Sequence, residues 1–543
     1  MTTPSYAHGA SATPLLRDTI GARLRAVAAE HPDREAVVSC EQDVRLSWAE
    51  LDELVDRVAS GLLQLDVEAG DRVGVWAPNR VEWMVVQYAT ARIGAILVNV
   101  NPAYRTSELA YALRQSGMRL LFAAREFKSS DYRAMVSEVS PDVDTLRDVV
   151  FFGDAAWAAL ASTPVDRDAL ADREATLDPD DPINIQYTSG TTGAPKGATL
   201  SHHNILNNGF FVGELCSYTE EDRICVPVPF YHCFGMVMGN LAALSHGSCV
   251  VVPAAGFDPA ATLRAVAAER CTALYGVPTM FIAMLGDPSF GEHDLSSLRT
   301  GIMAGSPCPS ETMKRVVSEM HMGEVSICYG MTETSPVSTQ TRADDPLERR
   351  VGSIGRVGPH LEVKIVDPEG GLTVPRGETG ELCTRGYSVM RGYWGDEAKT
   401  AEVKDDAGWM HTGDLATMDD EGYLNIVGRS KDMVIRGGEN VYPREVEEFL
   451  STHPDVVDVQ VVGVPDERFG EELCAWIQLR DGADPLDVDG VRAFCDGRIA
   501  HYKVPRHVVV GEEFPLTVTG KVRKNVMRER SVDLLGLGSA VGG

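Results

Sequence analysis

The strongest constraint on the fold is a repeated alternation of helical and strand patterns between residues 16 and 120. In SWAELDELVDRVASGLLQL the apolar residues have helical spacing, and Ser47 followed by Glu50 predicts a capping box at its start. A strand pattern (DRVGVWA), a helical pattern (VEWMVVQYATARIG) and a second strand pattern (AILVNV) follow. This order predicts a sheet covered by helices. Similar strands enter turns at SCVVVPA, CTALYGVP and VSICYG, where open α/β sheets bind their ligands.

The chain changes character after about residue 350. GSIGRVGPHLEVKIVDPEGG and GETGELCTRGYSVMRGYW are rich in glycine and β-branched residues, which is typical of small antiparallel sheets or barrels. MDDEGYLNIVGRSKDMVIRGGENVYPREVEEFL predicts a hairpin, a strand, a glycine turn and a helix with Pro443 in its first turn. The remaining C-terminal segment predicts a separate small α+β domain, and its tail, GLGSAVGG, is predicted to be disordered.

Charge and composition narrow the class of function. A net charge of −29 argues against nucleic acid as the main partner, since a phosphate backbone requires a basic face. The eleven cysteines form no CxxC pair and no zinc-type spacing, and the N-terminus does not resemble a signal peptide. The longest apolar stretch, MVVQYATARIGAILVNV, is interrupted by Gln87 and Arg92 and predicts a buried helix running into a strand, with no membrane span. We therefore expect a cytoplasmic protein with reduced thiols.

The stretch YTSGTTGAPKG, residues 187–197, has the composition of a phosphate-binding loop. A Walker A loop is excluded, because Gly190, Gly193 and Lys196 recur every third residue and a glycine follows the lysine where a metal-binding hydroxyl is needed. The predicted strand INIQY nevertheless leads into a turn rich in backbone amides, and we expect a helix near SHHN. The hydroxyls of this turn belong to Thr188, Ser189, Thr191 and Thr192. A flexible surface loop explains these residues equally well when they are taken alone.

Three later segments carry polar groups that suit a nucleotide. CYGMTETSP places Thr332 and Glu333 directly after an apolar strand, where a carboxylate suits Mg²⁺ on a polyphosphate. HTGDLATMDDEGYLNIVGR places Asp414 and Arg429 around a hairpin, and both side chains suit ribose hydroxyls. PLTVTGKVRK places Lys521 in a Gly-Lys turn. Taken singly, a helix cap, a turn terminator and a solvated surface lysine are simpler explanations of the three segments.

Together and in this order, the segments resemble the adenylate-forming enzymes: acyl-CoA synthetases, aryl-CoA ligases, luciferases and the adenylation domains of peptide synthetases. The resemblance runs from LSWAELDELVDRVASGL to GKVRK. NVNPAYRTSELAYALRQSG, PFYHCFGMVMG, IRGGENVYPREVEEFL and VPDERFGEELCAWIQL are most similar to the medium-chain fatty acyl-CoA synthetases. The resemblance implies an α/β fold: a large N-terminal domain of two α/β sheet subdomains and a small β-rich subdomain, followed by a small mobile α+β C-terminal domain.

The resemblance also implies two half-reactions. The carboxylate of a fatty acid attacks the α-phosphate of ATP, which gives an acyl-adenylate and pyrophosphate, and the acyl group then passes to coenzyme A with release of AMP. The implied partners are a small carboxylic acid, ATP and coenzyme A, with Mg²⁺ held by Glu333. Between the steps the small domain would rotate about Lys431, which would withdraw Lys521 and bring up the turn RGGEN.

The same resemblance assigns residues to sites. The implied catalytic residues are Lys521, Glu333, Thr332 and His232. The implied ATP site comprises Thr188, Ser189, Gly190, Thr191, Thr192, Gly193, Lys196, Gly305, Ser306, Pro307, Tyr329, Gly330, Met331, Asp414 and Arg429. Coenzyme A would contact Gly437, Gly438 and Glu439, and the acyl pocket would contain His232, Phe234, Met303, Pro336 and Val337. The implied domains are residues 1–428, a hinge at 429–431, a lid domain at 432–530 and a disordered tail at 531–543.

His232 in PFYHCFG bears on the class of acid. As an isolated histidine between aromatic residues it is more often structural, whereas the resemblance places it in the acyl pocket. Amino-acid adenylation domains have an aspartate in this segment that pairs with the substrate ammonium, and PFYHCFGM has none, so an amino-acid substrate is disfavoured. An aryl- or branched-acid CoA ligase, an acyl-AMP ligase that loads a carrier protein and a catalytically silent nucleotide-binding protein remain open. The sequence does not fix the chain length of the acid.

Overall fold

The structure is a computed structural model that describes residues 3–188, 195–306, 308–429, 432–436, 439–466, 468–511, 513–517 and 522–537. The chain divides into two compact units. The large unit comprises Ala7–Val363 and Thr384–His411, and the small unit comprises Met1–Tyr6, Lys364–Cys383 and Thr412–Gly543.

Over the described residues, the strands are, in chain order, β1 (Tyr6–His8), β2 (Glu35–Ser39), β3 (Val44–Ser47), β4 (Arg72–Trp76), β5 (Ile96–Asn99), β6 (Leu120–Ala123), β7 (Glu126–Phe127), β8 (Ser130–Asp131), β9 (Asp148–Phe151), β10 (Pro182–Thr188), β11 (Lys196–Ser201), β12 (Arg223–Cys225), β13 (Cys249–Val252), β14 (Ala273–Gly276), β15 (Thr300–Ala304), β16 (Ser326–Gly330), β17 (Val337–Gln340), β18 (Arg356–Val357), β19 (Leu361–Val366), β20 (Gly380–Gly386), β21 (Gly392–Tyr393), β22 (Met410–Met418), β23 (Leu424–Arg429), β24 (Val434–Arg436), β25 (Glu439–Val441), β26 (Val456–Asp466), β27 (Gly470–Leu479) and β28 (His507–Val510).

The α-helices over the same residues are α1 (Ile20–Glu30), α2 (Trp48–Gln64), α3 (Val81–Ile93), α4 (Thr106–Ser116), α5 (Tyr132–Val139), α6 (Ala155–Ala161), α7 (Arg167–Glu174), α8 (His202–Leu215), α9 (Ala242–His246), α10 (Pro259–Glu269), α11 (Pro278–Leu285), α12 (Ser310–Glu319), α13 (Leu347–Gly352), α14 (Glu397–Val403), α15 (Pro443–Leu450), α16 (Val488–Cys495) and α17 (Lys524–Leu534). Single 3₁₀ turns occur at Ser140–Asp142, Phe290–Glu292, Thr332–Thr334 and His501–Lys503, and Phe234–Leu241 is a π-helix.

Two large sheets organise the large unit. One has the strand order β21-β11-β10-β5-β4-β6-β9 and is parallel from β10 to β9, with β11 and β21 added antiparallel at one side. The other has the order β18-β17-β16-β15-β14-β12-β13-β2-β3 and is parallel from β16 to β2. The parallel strands are almost continuously buried, because helices cover both faces of such sheets. The α/β fold class expected for the N-terminal part is confirmed.

Helix α2 begins where the sequence predicts. Glu50 N donates to Ser47 Oγ at 3.2 Å, and Ser47 N donates to Glu50 Oε2 at 2.8 Å, so the expected capping box is present. Its apolar stripe, which includes Leu51, Val55 and Val58, is fully buried.

The interrupted apolar stretch is the buried helix α3 followed by strand β5, as predicted. The arginine of this helix is buried, and carboxylates compensate its charge. Arg92 is fully buried, donates to Asp52 Oδ1 at 2.6 Å and to Gly21 O at 3.1 Å, and also pairs with Asp56. A buried guanidinium requires such partners, and this one therefore ties α3 to α1 and α2.

The C-terminal part of the small unit is a mostly antiparallel sheet with helices packed against it. Its C-terminal sheet has the order β25-β24-β27-β26, with β28 parallel to β27. Val446 of α15 and Val491 of α16 belong to one buried cluster, and Met527 of α17 belongs to a second with Trp476. Helices therefore pack into two separate cores of an α+β sheet, which confirms the fold class predicted for this part of the chain.

Helix α17 reaches Leu534, and the described chain continues to Leu537. Ser531 is buried and accepts a 2.7 Å hydrogen bond from Trp476 Nε1, so ordered structure extends past the predicted start of the tail at 531. The chain passes between the two units within β1, β19, β20 and β22. The hinge proposed at 429–431 includes Lys431, which lies outside the described residues, and it stays a prediction. Among the helices described, none has both the length and the apolar character needed to cross a bilayer.

Candidate active site

Two antiparallel strands flank the predicted phosphate loop. β10 ends at Thr188 and β11 begins at Lys196, and these two residues are cross-strand partners. Helix α8 does start near SHHN, capped by Ser201, but β11 separates it from the loop. Between the two strands, Ser189, Gly190, Thr191, Thr192 and Gly193 lie outside the described residues.

Glu333 lies beside the first of these strands. It follows β16 in the 3₁₀ turn Thr332–Thr334 and is 5% exposed, and its backbone oxygen accepts from Met390 N at 2.8 Å. Oε1 of Glu333 lies 3.5 Å from Thr188 Oγ1. The structure therefore brings together the start of the glycine-rich loop and the carboxylate predicted to bind Mg²⁺.

A residue that the sequence did not single out contacts this carboxylate. Tyr393 Oη donates to Glu333 Oε1 at 2.9 Å, and Lys196 Nζ lies 4.9 Å from the centroid of the Tyr393 ring. Burial, followed by the charge of Glu333, raises the pKa of the Tyr393 phenol, which therefore remains a neutral donor. Tyr393 belongs to the segment RGYW, where only its aromatic character among glycines marked it.

The residues predicted around the adenine lie at the ends of two neighbouring parallel strands. Ala304 of β15 pairs with Cys328 of β16, so Gly305, which follows β15, lies beside Tyr329 near the end of β16. Gly305 has φ of +92°, a conformation that favours glycine. Ser306 follows it, whereas Pro307 lies outside the described residues.

The chain turns sharply at the end of β16. A Cβ on Gly330 would lie 1.7 Å from Pro336 O, so no side chain fits there. Met331 N donates to Thr334 Oγ1 at 3.1 Å, which closes the turn that carries Thr332 and Glu333. This close approach explains why a glycine precedes the turn.

The His232 segment reaches the same turn. Cys233 Sγ lies 3.8 Å from His232 Nδ1 and 3.7 Å from Thr332 Oγ1. Phe234 N donates to His232 Nδ1 at 3.1 Å, so this nitrogen is an acceptor and Nε2 carries the proton of the neutral ring. The structure thus brings two of the implied catalytic residues, His232 and Thr332, to either side of one cysteine.

The other residues expected in the acyl pocket lie on the π-helix and on strands β15 and β17 or directly beside them. Phe234 begins the π-helix and stacks on Tyr275, with ring centroids 5.6 Å apart. Tyr275 and Met303 lie on the adjacent strands β14 and β15. On β17, Val337 exchanges two hydrogen bonds with the Asn208 side chain, at 2.8 and 3.0 Å. Pro336 precedes Val337. π-Helical geometry is often found at functional sites.

The remaining predicted site residues belong to the small unit. Asp414 of β22 and Arg429 of β23 are direct cross-strand partners, and Asp414 is 7% exposed. Glu439 lies in β25, opposite Arg436. Lys431, Gly437, Gly438 and Lys521 lie outside the described residues.

The donor set around Glu333 suits a hard cation. A buried carboxylate with the Thr188 hydroxyl nearby offers oxygen ligands, which Mg²⁺ prefers, and no nitrogen or sulfur ligand is required. The described residues around Glu333 therefore fit Mg²⁺ held on a polyphosphate.

Known proteins and family profiles match this chain over nearly its whole length. Residues 24–394 match the profile of the family described as AMP-binding enzyme, and residues 445–521 match the AMP-binding enzyme C-terminal domain. The chain is 47% identical over 548 residues to the Bacillus subtilis protein named "Putative acyl-CoA synthetase YngI", covering 97% of this chain and 99% of that protein. It is 45% identical over 557 residues to "Medium-chain acyl-CoA ligase ACSF2, mitochondrial" of Danio rerio, covering 98% of this chain and 92% of that protein. The crystal structure of ATP-bound MatB from Rhodopseudomonas palustris aligns with a TM-score of 0.85 at 30% identity, covering 96% of this chain and 100% of that one.

Proposed function

Because the chain belongs to the AMP-binding enzyme family, we propose that it is an ATP-dependent acid–thiol ligase that joins a medium-chain fatty acid to coenzyme A through an acyl-adenylate. Relatives named medium-chain acyl-CoA ligase are 42–45% identical over nearly the whole chain. The structural observation that carries the proposal is the approach of Glu333 to Thr188 at the start of the glycine-rich loop. A carboxylate at that point is placed to hold a metal-bound polyphosphate.

In the first half-reaction the protein must offset negative charge on the α-phosphorus and on the departing pyrophosphate. The loop from Thr188 to Gly193 and Lys196 cradle the β- and γ-phosphates, and Lys521 neutralises charge between the fatty-acid carboxylate and the α-phosphate. Mg²⁺ on Glu333, when bound, neutralises further charge on the polyphosphate. Gly305, Ser306, Pro307 and Tyr329 line the adenine, Asp414 and Arg429 hold the ribose, and Gly330 and Met331 belong to the same ATP site.

His232 orients the acid. Since Nδ1 accepts from Phe234 N, the neutral ring offers Nε2–H as a donor, and a carboxylate oxygen is a suitable acceptor. The ring acts here as a hydrogen-bond donor and not as a base. The segment PFYHCFGM has no acidic residue that would pair with the ammonium of an amino acid, which supports an unsubstituted acid.

Phe234, Met303, Pro336 and Val337 line the pocket for the aliphatic chain. All four are buried, and an apolar lining gains about 0.8 kcal/mol for each methylene it removes from water. This gain favours chains longer than acetate. Medium chain length is taken from the names of the relatives.

The second half-reaction requires that the thiol reach the acyl-adenylate. We infer that the C-terminal domain rotates about Lys431, which withdraws Lys521 and brings Gly437, Gly438 and Glu439 toward coenzyme A. Glycines at the first two positions leave room for a pantetheine arm beside the backbone.

The proposed compartment is the cytoplasm. Over the described residues, none of the eleven cysteines forms a disulfide, as expected under reducing conditions. Most are buried, and burial raises the pKa of Cys216 to about 12, which keeps that thiol protonated and inert.

The test is pyrophosphate release over a panel of acids, with and without coenzyme A. Release with straight-chain acids and formation of their CoA thioesters would support the proposal. An aryl acid as the best substrate would indicate an aryl-CoA ligase, and adenylate that transfers to a carrier protein but not to coenzyme A would indicate an acyl-AMP ligase. No pyrophosphate release with any acid would contradict the proposal.

A further inference from the structure

Tyr393 lies between the two oppositely charged groups that the proposed function assigns to the ATP phosphates. Its hydroxyl donates to Glu333 Oε1 at 2.9 Å, and the face of its ring lies 4.9 Å from Lys196 Nζ. One side chain therefore contacts a carboxylate through its edge and an ammonium through its face.

The backbone around Tyr393 is held from several directions. Tyr393 pairs with Ala198 across β21 and β11, and its backbone N donates to Thr400 Oγ1 at 2.9 Å. The next residue, Trp394, donates from N to Gly197 O at 2.7 Å. Since Tyr393 is only 8% exposed, its ring has little freedom to move away from the strand that begins at Lys196.

The contacts of Glu333 are asymmetric. Thr188 Oγ1 and Tyr393 Oη both lie against Oε1, and within the described part of the chain no donor lies within hydrogen-bond distance of Oε2. The two contacts fix the rotation of the carboxylate. A carboxylate held through one oxygen presents the other as a single ligand, as Mg²⁺ requires.

The charges of Lys196 and Glu333 are not paired with each other. No ion pair within 4.0 Å joins Lys196 Nζ to any carboxylate of the described residues, although Lys196 and Glu333 contact the same tyrosine. A direct lysine–glutamate pair would neutralise both groups and compete with phosphate and metal alike.

We propose that Tyr393 is a positioning residue that holds Glu333 and Lys196 apart, its hydroxyl orienting the carboxylate toward Mg²⁺ and its ring holding the ammonium toward the phosphates. The inference rests on the proposed function for the identity of the ligand, Mg²⁺-ATP. Neither the hydroxyl nor the ring enters the chemistry of acyl transfer. The two halves of the role are separable by substitution.

The experiment measures the affinity of the full-length protein for ATP by calorimetry, in excess Mg²⁺ and in EDTA. The ratio of the two dissociation constants reports how strongly the metal contributes to binding. Tyr393→Phe keeps the ring and removes the hydroxyl, and it should reduce this ratio by about tenfold, the lower end of the effect of losing a partner of a metal ligand. Tyr393→Leu removes the ring as well, and it should also weaken ATP binding in EDTA.

Tyr132→Phe is the matched control. Tyr132 is fully buried and donates to Pro102 O at 2.5 Å, so the substitution removes a buried phenol hydroxyl of the large unit that contacts none of the proposed site residues. It should lower the melting temperature and leave the ratio unchanged. A Tyr393→Phe protein with the wild-type ratio would show that the hydroxyl does not orient Glu333 toward Mg²⁺. Equal affinities of the Phe and Leu variants for ATP in EDTA would show that the ring does not hold Lys196 toward the phosphates.

These measurements separate the inference from the proposed function. A wild-type protein that binds Mg²⁺-ATP but ligates no acid would contradict the proposed function and leave the test of Tyr393 intact. A wild-type protein that does not bind ATP would contradict both.

Discussion

The hydroxyl of Tyr393 donates a 2.9 Å hydrogen bond to Oε1 of Glu333 and so connects the edge strand of one large sheet to the end of a strand in the other. Tyr393 lies on β21, and Glu333 follows β16. The two sheets are therefore coupled at the point where the phosphates are proposed to bind. A substitution on either side of this bond is expected to disturb the other.

Glu333→Gln should reduce Mg²⁺-dependent adenylate formation by about 10²–10³-fold, because the amide keeps the shape and the Tyr393 contact but loses the charge that attracts the cation. The rate of pyrophosphate release with a saturating acid measures the effect. Glu292→Gln changes an exposed glutamate of the large unit in the same way and should leave the rate unchanged. A Glu333→Gln enzyme as active as the wild type would remove Glu333 from the proposed site.

Lys521→Ala should abolish adenylate formation and leave thioester formation from a supplied acyl-adenylate largely intact. The ammonium offsets charge only while the α-phosphate is attacked. Each half-reaction is assayed separately, by pyrophosphate release and by thioester formation, and Lys314→Ala at an exposed helix position serves as the control. Equal losses in both half-reactions would contradict a role confined to the first.

The enzyme should require Mg²⁺ and no transition metal. Oxygen ligands around Glu333 suit a hard cation. Activity in the presence of Mg²⁺ should survive a zinc-selective chelator and a thiol reductant, and should disappear in EDTA until Mg²⁺ is restored. Restoration by zinc after loss to the selective chelator would show that the prediction is wrong.

The dependence of kcat/KM on chain length should rise from acetate and peak at intermediate length. Each buried methylene contributes about 0.8 kcal/mol, or about a fourfold increase in kcat/KM, until the pocket is filled. The series of straight-chain acids is compared with benzoate and with a panel of amino acids. A maximum at an amino acid would overturn the argument from the His232 segment, and a maximum at benzoate would move the assignment to an aryl-CoA ligase.

His202 should make the stability of the protein depend on pH. It is fully buried, accepts from Ile20 N at 3.1 Å, and burial lowers its pKa to about 3, with a smaller opposing effect of Asp178. Because the folded pKa is lowered, the stabilisation is present above about pH 6.5 and is lost as the pH falls toward 3. Between pH 6.5 and pH 5 this loss amounts to about 1.6 kcal/mol.

His202→Asn keeps a hydrogen-bond acceptor near the position of Nδ1 and does not titrate. Urea unfolding at pH 7.5, 6 and 5 should show a smaller loss of stability in this variant than in the wild type, whatever their difference at neutral pH. His501→Asn, at an exposed position, should follow the wild type. Parallel curves for the wild type and His202→Asn would contradict the assignment.

The sequence predicted the local elements of this fold well, because each is marked by nearby residues. The capping box at Ser47, the buried helix before β5 and the proline at the start of α15 all depend on neighbours within a few positions. The order of motifs then indicated the family, and with it which strand ends carry the proposed site. The sequence did not predict the partners of residues that are distant along the chain.

Arg92 interrupted an apolar stretch, but nothing in the sequence indicated Asp52 and Asp56 as its partners. Tyr393 was missed for the same reason, since it lies 60 residues from Glu333 along the chain. β11 was also unforeseen, because six residues of a strand between a loop and a helix carry little periodicity. Contacts of this kind are set by packing between elements, and a single sequence does not encode them in any local pattern.

The antiparallel pairing of β10 and β11 has a consequence for how this enzyme can be altered. Thr188 and Lys196 face each other across the two strands, so their Cα atoms stay about 5 Å apart whatever connects them. Insertions, deletions or exchanges between these two positions should therefore be tolerated by the scaffold, and would change nucleotide handling without unfolding the sheet. A one-residue insertion or deletion inside either strand should instead disrupt the sheet, because it turns every following side chain to the other face. In directed evolution, the length of the chain can be varied between Thr188 and Lys196, whereas in the two strands only the type of residue should be varied.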